Sequence, residues 1–216
     1  MPVIELVGPS GAGKSTAVRL IAAQDPRVRV LGLPAAGTYA RALPALVPTL
    51  LRLHQPFHRV LRREMKRVLH LAALRRMVEE MHADAQTVAL VDEGPVYMLS
   101  RLLFLADRAL DTEAFREWWQ GAVDDWAEVL DRVIWIDAET PVLINRIRRR
   151  SGAPPIADTG DAPLSAFLAR YRTCYARVLT RLEQRSGPLI VRIDTTTLTM
   201  PALAARVRGE LEEARR

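Results

Sequence analysis

The sequence contains a single cysteine, Cys174, in 216 residues. No disulfide can form within the chain, its core must hold by packing alone, and a reducing, cytoplasmic setting is expected. Lysine is nearly absent, with Lys14 and Lys66 the whole set and arginine supplying every other basic side chain. No uninterrupted apolar run approaches the roughly 18 residues that span a bilayer. The apolar stretch Pro2 to Val7 is too short for a secretory leader and lacks a basic flank, so no membrane association is expected. The four histidines, His54, His58, His70 and His82, do not show metal-ligand spacing. Internal repeats, low-complexity tracts and interdomain linkers are also missing, leaving one domain over residues 1–216.

Against these absences, 49% of the residues are apolar, enough to build a substantial core. The formal net charge is +6. That field favours a polyanion, but it arises partly from a bias toward arginine and alanine, and a nucleotide would satisfy it as well as a nucleic acid. Five short apolar runs, Val3–Val7, Val28–Leu33, Thr87–Val91, Arg132–Ile136 and Leu189–Ile193, alternate with longer helical patterns. They show little polar alternation, as strands covered on both faces do. The pattern predicts an α/β fold with a three-layer, doubly wound, parallel five-stranded sheet. Helices are expected over Lys14–Ala23, Phe57–Ala85, Pro95–Ala109, Thr112–Leu130, Thr140–Arg150, Leu164–Arg185 and Met200–Ala214, the one at Thr140 capped by that threonine. Pro44, Pro48 and Pro56 are expected to break the stretch after the second strand into two or three helices. The cluster Trp118, Trp119 and Trp126 is read as core or interface.

The first strand runs into Gly8-Pro9-Ser10-Gly11-Ala12-Gly13-Lys14-Ser15-Thr16, and a helix-forming segment follows directly. Strand, glycine-rich turn and helix in that order make a phosphate cradle. Glycines let successive amides turn inward toward an anion, and the helix adds the positive end of its dipole. Lys14 would reach the β- and γ-phosphates and the Ser15 hydroxyl would ligate Mg²⁺, so ATP and Mg²⁺ are the expected cofactors. No Asn/Thr-Lys-x-Asp sequence follows the fourth strand, which disfavours GTP.

Acids end the third and fourth strands. In such a sheet ligands bind outside the carboxyl ends of the strands. Asp92 is therefore assigned to the metal's outer shell and Glu93 to the general base or water-positioning role, with the reverse assignment left open. Asp137 is assigned to the loop that leads into the following helix. Arg146-Ile-Arg-Arg-Arg150 precedes the Pro/Gly-rich segment 151–163 and would supply positive charge to the transferring phosphoryl group, from Arg146 or Arg150. Tyr39 and Arg41 past the second strand, and Arg75 and Arg76 on the long helix, are candidates for an acceptor pocket.

These motifs resemble the nucleoside and nucleotide kinase branch of P-loop proteins, with thymidylate kinases nearest in layout. The resemblance spans nearly the whole chain, although only its first motif is specific. It implies strand order 2-3-1-4-5, an acceptor-binding helical region over about residues 34–86, and a lid over about 146–163. It also implies that His70-Leu-Ala-Ala-Leu-Arg75-Arg76 is similar to the helix that grips an acceptor monophosphate. Likewise, Ile193-Asp-Thr195-Thr-Thr197 is similar to the loop that passes the adenine base, to which Arg146 would add. The chain departs from the family after the third strand. Thymidylate kinases usually have Asp-Arg-aromatic there and deoxynucleoside kinases Glu-Arg-Ser, whereas this sequence has Asp92-Glu93-Gly94-Pro95. The missing arginine and the added carboxylate suit a neutral hydroxyl better than a monophosphate. The expected activity is transfer of the γ-phosphate of ATP to a small-molecule acceptor: a nucleoside, a nucleotide or another hydroxyl-bearing metabolite. A polynucleotide 5′-hydroxyl kinase and a non-catalytic nucleotide-binding module are the alternatives, and a homodimer stays open.

Overall fold

The computed structural model describes residues 1–53, 61–81, 86–105, 112–150 and 158–216. Five parallel strands, β1 (Val3–Val7), β2 (Val28–Leu31), β3 (Val88–Val91), β4 (Arg132–Asp137) and β5 (Leu189–Asp194), form one sheet in the order β2-β3-β1-β4-β5. This is the strand order implied by the resemblance. The helices are α1 (Lys14–Gln24), α2 (Ala36–Leu53), α3 (Leu61–Glu80), α4 (Pro95–Leu105), α5 (Glu113–Ala127), α6 (Thr140–Arg148), α7 (Asp161–Gln184) and α8 (Met200–Glu213).

Strand parity divides the core. In β1, Val3 and Val7 point into a cluster with Leu74, Leu99, Trp119, Trp126 and Tyr175, while Ile4 and Leu6 point into the opposite cluster with Ile21, Leu143, Ile147 and Leu203. Helices α3, α4 and α5 thus cover one face, and α1, α6 and α8 the other. Both faces of the central strand are buried, which is why its residues show no alternation. Trp119 and Trp126 are core residues, and the Trp119 indole N–H donates to the Leu99 carbonyl at 3.2 Å.

Two local expectations are corrected. Helix α2 continues through Pro44 and Pro48 and does not break at them. The two prolines are four residues apart on an exposed face, where water can meet the carbonyls they leave unpaired. Thr140 does not cap α6: Glu139 holds the cap position, and the Thr140 hydroxyl instead accepts from Arg172 at 2.8 Å. Thr112, by contrast, caps α5 by accepting from the Phe115 amide at 3.2 Å. Pro56, residues 151–157 of the expected lid, and the expected helix ends at 57–60, 82–85 and 106–109 lie outside the described residues. Among the described residues, no helix is long and apolar enough to cross a membrane.

Candidate functional site

The loop between β1 and α1 takes its shape from three glycines with positive φ: Gly8 at 152°, Gly11 at 84° and Gly13 at 100°. Gly8 sits so close to β4 that a Cβ would lie 2.0 Å from the Ile136 carbonyl oxygen. Gly11 abuts α6, with the Leu143 carbonyl oxygen 3.0 Å and the Arg146 Cβ 3.5 Å from where its own Cβ would be. Gly13, left-handed, ends the loop and starts α1. The positive end of α1 therefore opens onto a turn lined by main chain. Pro9 and Ala12 pack beneath it in full burial, while Ser15 is exposed and Ser10, Gly11 and Thr16 are half-buried.

Lys14 curls over this turn. Its ammonium donates to the Gly8 carbonyl at 2.6 Å and to the Pro9 carbonyl at 2.9 Å. Desolvation pushes its pKa down to about 8, against the pull of Asp92 and Glu93 and with the push of Arg150. All three are therefore electrostatic neighbours of the ammonium. Asp92, at the end of β3, is anchored through its amide to the Leu31 carbonyl at 2.9 Å. Its Oδ1 is buried without a hydrogen-bond partner among the described residues. Glu93 follows in an exposed, left-handed conformation with φ of 55°, which is uncommon for a residue with a side chain. The orphaned Asp92 Oδ1 and the exposed Ser15 hydroxyl are hard-oxygen donors of the kind that Mg²⁺ takes.

The remaining expected residues divide between near and far. Arg150 belongs with Lys14. Arg146 turns toward the β5–α8 loop, where its guanidinium donates to the Thr195 hydroxyl at 3.1 Å and the Thr195 carbonyl at 2.7 Å. Thr195 is fully buried, and its hydroxyl donates to the Asp137 carbonyl at 3.0 Å. It anchors the loop from inside and does not offer its side chain to a ligand. Asp137 is engaged by Arg172 through Oδ2 at 2.8 Å and Oδ1 at 3.0 Å.

Tyr39 and Arg76 are only loosely gathered. The Tyr39 hydroxyl meets His70 Nδ1 at 2.8 Å. Arg76 is exposed and pairs with Glu80 at 3.2 Å, and Arg41 pairs with the same carboxyl group at 3.5 Å, stapling α2 to α3. Arg75 is not brought to the site. It bonds Glu79 at 2.9 Å and the Asp125 carbonyl at 3.0 Å, and lines a cavity with Met1, Val3 and Asp131 at the amino edge of the sheet, opposite the glycine loop. Helix α3 runs antiparallel to β3, so its later residues descend away from the carboxyl edge.

Four residues were missed in the sequence. His70, only 3% exposed, faces the Glu93 main chain, and burial pushes its pKa down to about 4. Arg101 lies with its guanidinium 5.4 Å from the ring centres of both Phe104 and Tyr171 and donates to the Tyr171 hydroxyl. Tyr97, one turn earlier, shares the electrostatic neighbourhood of Glu93, Arg67 and Arg101. Lastly, Glu5 in the middle of β1 is fully buried, and desolvation raises its pKa to about 8. No local periodicity reports any of these, since each pairs elements far apart in sequence.

The His70 shift has a measurable consequence. A folded-state pKa below the unfolded value of 6.5 means that the unfolded chain binds the proton more tightly. Stability from this group is complete above pH 6.5 and is lost as pH falls toward 4. The expected loss is roughly 3 kcal/mol, with 1.4 kcal/mol per pKa unit. Thermal melts between pH 7 and 4 should show this decline in the wild type and a flatter profile in His70→Gln. Parallel profiles would contradict it.

No protein-family model matches the sequence, and no curated protein sequence matches it. Solved structures do. The thymidylate kinase of Candida albicans superposes with a TM-score of 0.64 at 12% identity, covering 100% of this chain and 93% of that one. The fold is that of these kinases. Deoxyadenosine kinase from M. mycoides, solved with dCMP and dCDP, matches with a TM-score of 0.58 at 15% identity over 98% of this chain and 99% of its own. The same enzyme with bound dATP gives 0.55 at 17% identity, covering 97% and 99%.

Proposed function

We propose that this chain is an ATP- and Mg²⁺-dependent kinase that phosphorylates a small hydroxyl-bearing acceptor, a nucleoside or nucleotide being the leading class. The observation that carries the reading is the glycine turn after β1, left-handed at Gly11 and Gly13, with the Lys14 ammonium closing on its Gly8 and Pro9 carbonyls and the unpartnered Asp92 Oδ1 at the end of the adjacent strand β3. The similar folds of two kinases that act on nucleosides or nucleotides support it.

In this scheme the amides of Ser10 to Thr16 hold the triphosphate, and Lys14 leaves its two loop carbonyls to meet the β- and γ-oxygens. Ser15 and Asp92 would hold Mg²⁺, which neutralises phosphate charge when bound. Arg150 contributes positive charge on the γ side, while Arg146, held against Thr195, belongs to the nucleotide's base side. Glu93 receives the proton of the attacking hydroxyl. The acceptor lies against Tyr39, His70, Tyr97 and Arg101, between α2, α3 and α4. Little bond-making falls to the protein, so positioning and electrostatics carry the rate.

The test is a screen for ATP consumption and product formation against nucleosides, nucleoside monophosphates and hydroxylated metabolites. Acceptor-dependent formation of a phosphorylated product is expected, and a complete lack of it would remove the kinase reading. Glu93→Gln should then lower kcat about 10²–10⁴-fold, the usual worth of a general base, while ATP affinity holds. Undiminished kcat would assign the base elsewhere.

A further inference from the structure

Glu5 is an odd choice for its position. It sits between Val3 and Val7 on the face of β1 turned toward α4, in the middle of an apolar core, and is fully buried. A carboxyl group there loses its hydration and must find partners. It finds them at the start of α4. Glu5 Oε2 accepts from the Val96 amide at 2.8 Å, and Oε1 accepts from the Tyr97 amide at 3.0 Å. Pro95 opens the helix without an N–H, so these are the first two amides that α4 leaves unpaired. A helix ordinarily caps itself with a serine, threonine or aspartate just before its first turn. Here Gly94 holds that place, where any side chain would press on the Glu5 carboxyl group and on Val91. An added Cβ would lie 2.7 Å from Glu5 Cδ and 2.6 Å from Val91 Cγ1. The cap has been moved from the turn to the central strand.

The consequence is geometric. Glu93, immediately before Gly94, is held left-handed. Three residues along β1 from Glu5 begins the glycine loop that carries Lys14. Two hydrogen bonds from one side chain therefore register the turn bearing Glu93 directly to the strand bearing the phosphate cradle. We propose that Glu5 is a positioning residue, clamping the start of α4 to β1 so that Glu93 stands at a fixed distance from the phosphoryl group held over Lys14. This rests on the kinase reading of Glu93.

The experiment compares wild-type protein with Glu5→Gln, using the acceptor identified by the screen. Glutamine fills the same space but replaces one carboxyl oxygen by an NH₂ group that cannot accept from the amide it faces. Because misplacement of about 1 Å can cost 10²-fold, kcat should fall about 10–100-fold while the KM for ATP stays within about twofold. Hydrogen exchange at the Val96 and Tyr97 amides should quicken about tenfold or more, with β4 amides unchanged. Should Glu5→Gln not fold, Gly94→Ala presses on the same carboxyl group and should give the same split between kcat and KM. Wild-type kcat in Glu5→Gln, unchanged exchange at Val96 and Tyr97, or loss of kcat and ATP binding together would overturn the proposal. Wild-type protein that phosphorylates nothing overturns the kinase reading and, with it, the catalytic purpose of the clamp. The exchange data then still show whether the clamp itself exists.

Discussion

Replacing Lys14 with alanine is expected to lower phosphoryl transfer by about 10³-fold, the upper range for removing one charged stabiliser of a developing oxyanion. The ammonium has no second task. Among the described residues its hydrogen bonds run to Gly8 and Pro9 within its own loop, and no ion pair of its own holds one element to another. Alanine is also the best helix former at the first position of α1. Fold and loss of function should therefore separate cleanly. The melting temperature should stay within a few degrees of wild type while steady-state turnover with the identified acceptor falls by about that factor. A variant that retained turnover would show that the charge over the glycine turn is not what stabilises the transferring group.

Gly8→Ala should have the largest effect on the fold itself. Its φ of 152° lies where side chains are rarely tolerated, and the added Cβ would stand 2.0 Å from the Ile136 carbonyl oxygen and 3.1 Å from its carbon. Both are backbone atoms of β4, so relief requires the loop or the strand to move. A clash of this kind belongs to the severe class of substitutions, about 3 kcal/mol or more, equivalent to roughly 6–12 °C in melting temperature for a chain of this size. If the loop moves instead of the strand, the cost appears in binding as at least a 10²-fold loss of ATP affinity. Calorimetry on the folded fraction distinguishes the two outcomes. Wild-type stability together with wild-type ATP binding would contradict the described loop.

The strands and the glycine turn were legible in the sequence because both are local. An apolar run between breakers marks a parallel strand whatever surrounds it, and Gly8, Gly11 and Gly13 carry their geometry in their own spacing. The helical face of α3 was harder. Arg75 and Arg76 are adjacent, yet one lines a cavity at the amino edge of the sheet and the other reaches the surface beside Glu80. Only the antiparallel run of α3 against β3 reveals that both stand below the carboxyl edge, while His70, one turn and more earlier, faces Glu93. The spacing of His70 from the other histidines carries no signal of its role, which lies in a contact distant in sequence. Its partner, Tyr39, is 31 residues away. The expectation that Thr195 offers its side chain to a nucleotide failed on direction, since whether its hydroxyl points inward depends on Asp137 and Arg146. Glu5 was invisible for the same reason: an acid inside an apolar strand reads as an exception until the helix that it caps is in place.

The central claim, that the turn from Gly8 to Thr16 grips a triphosphate with Lys14 closing over it, is tested most directly by isothermal calorimetry with Mg²⁺ and adenine nucleotides. Saturable binding of ATP is expected, weaker for ADP, weakest for AMP, and reduced at least tenfold for ATP in Lys14→Ala. Equal affinity for all three nucleotides, or ATP binding that ignores the loss of Lys14, would contradict it.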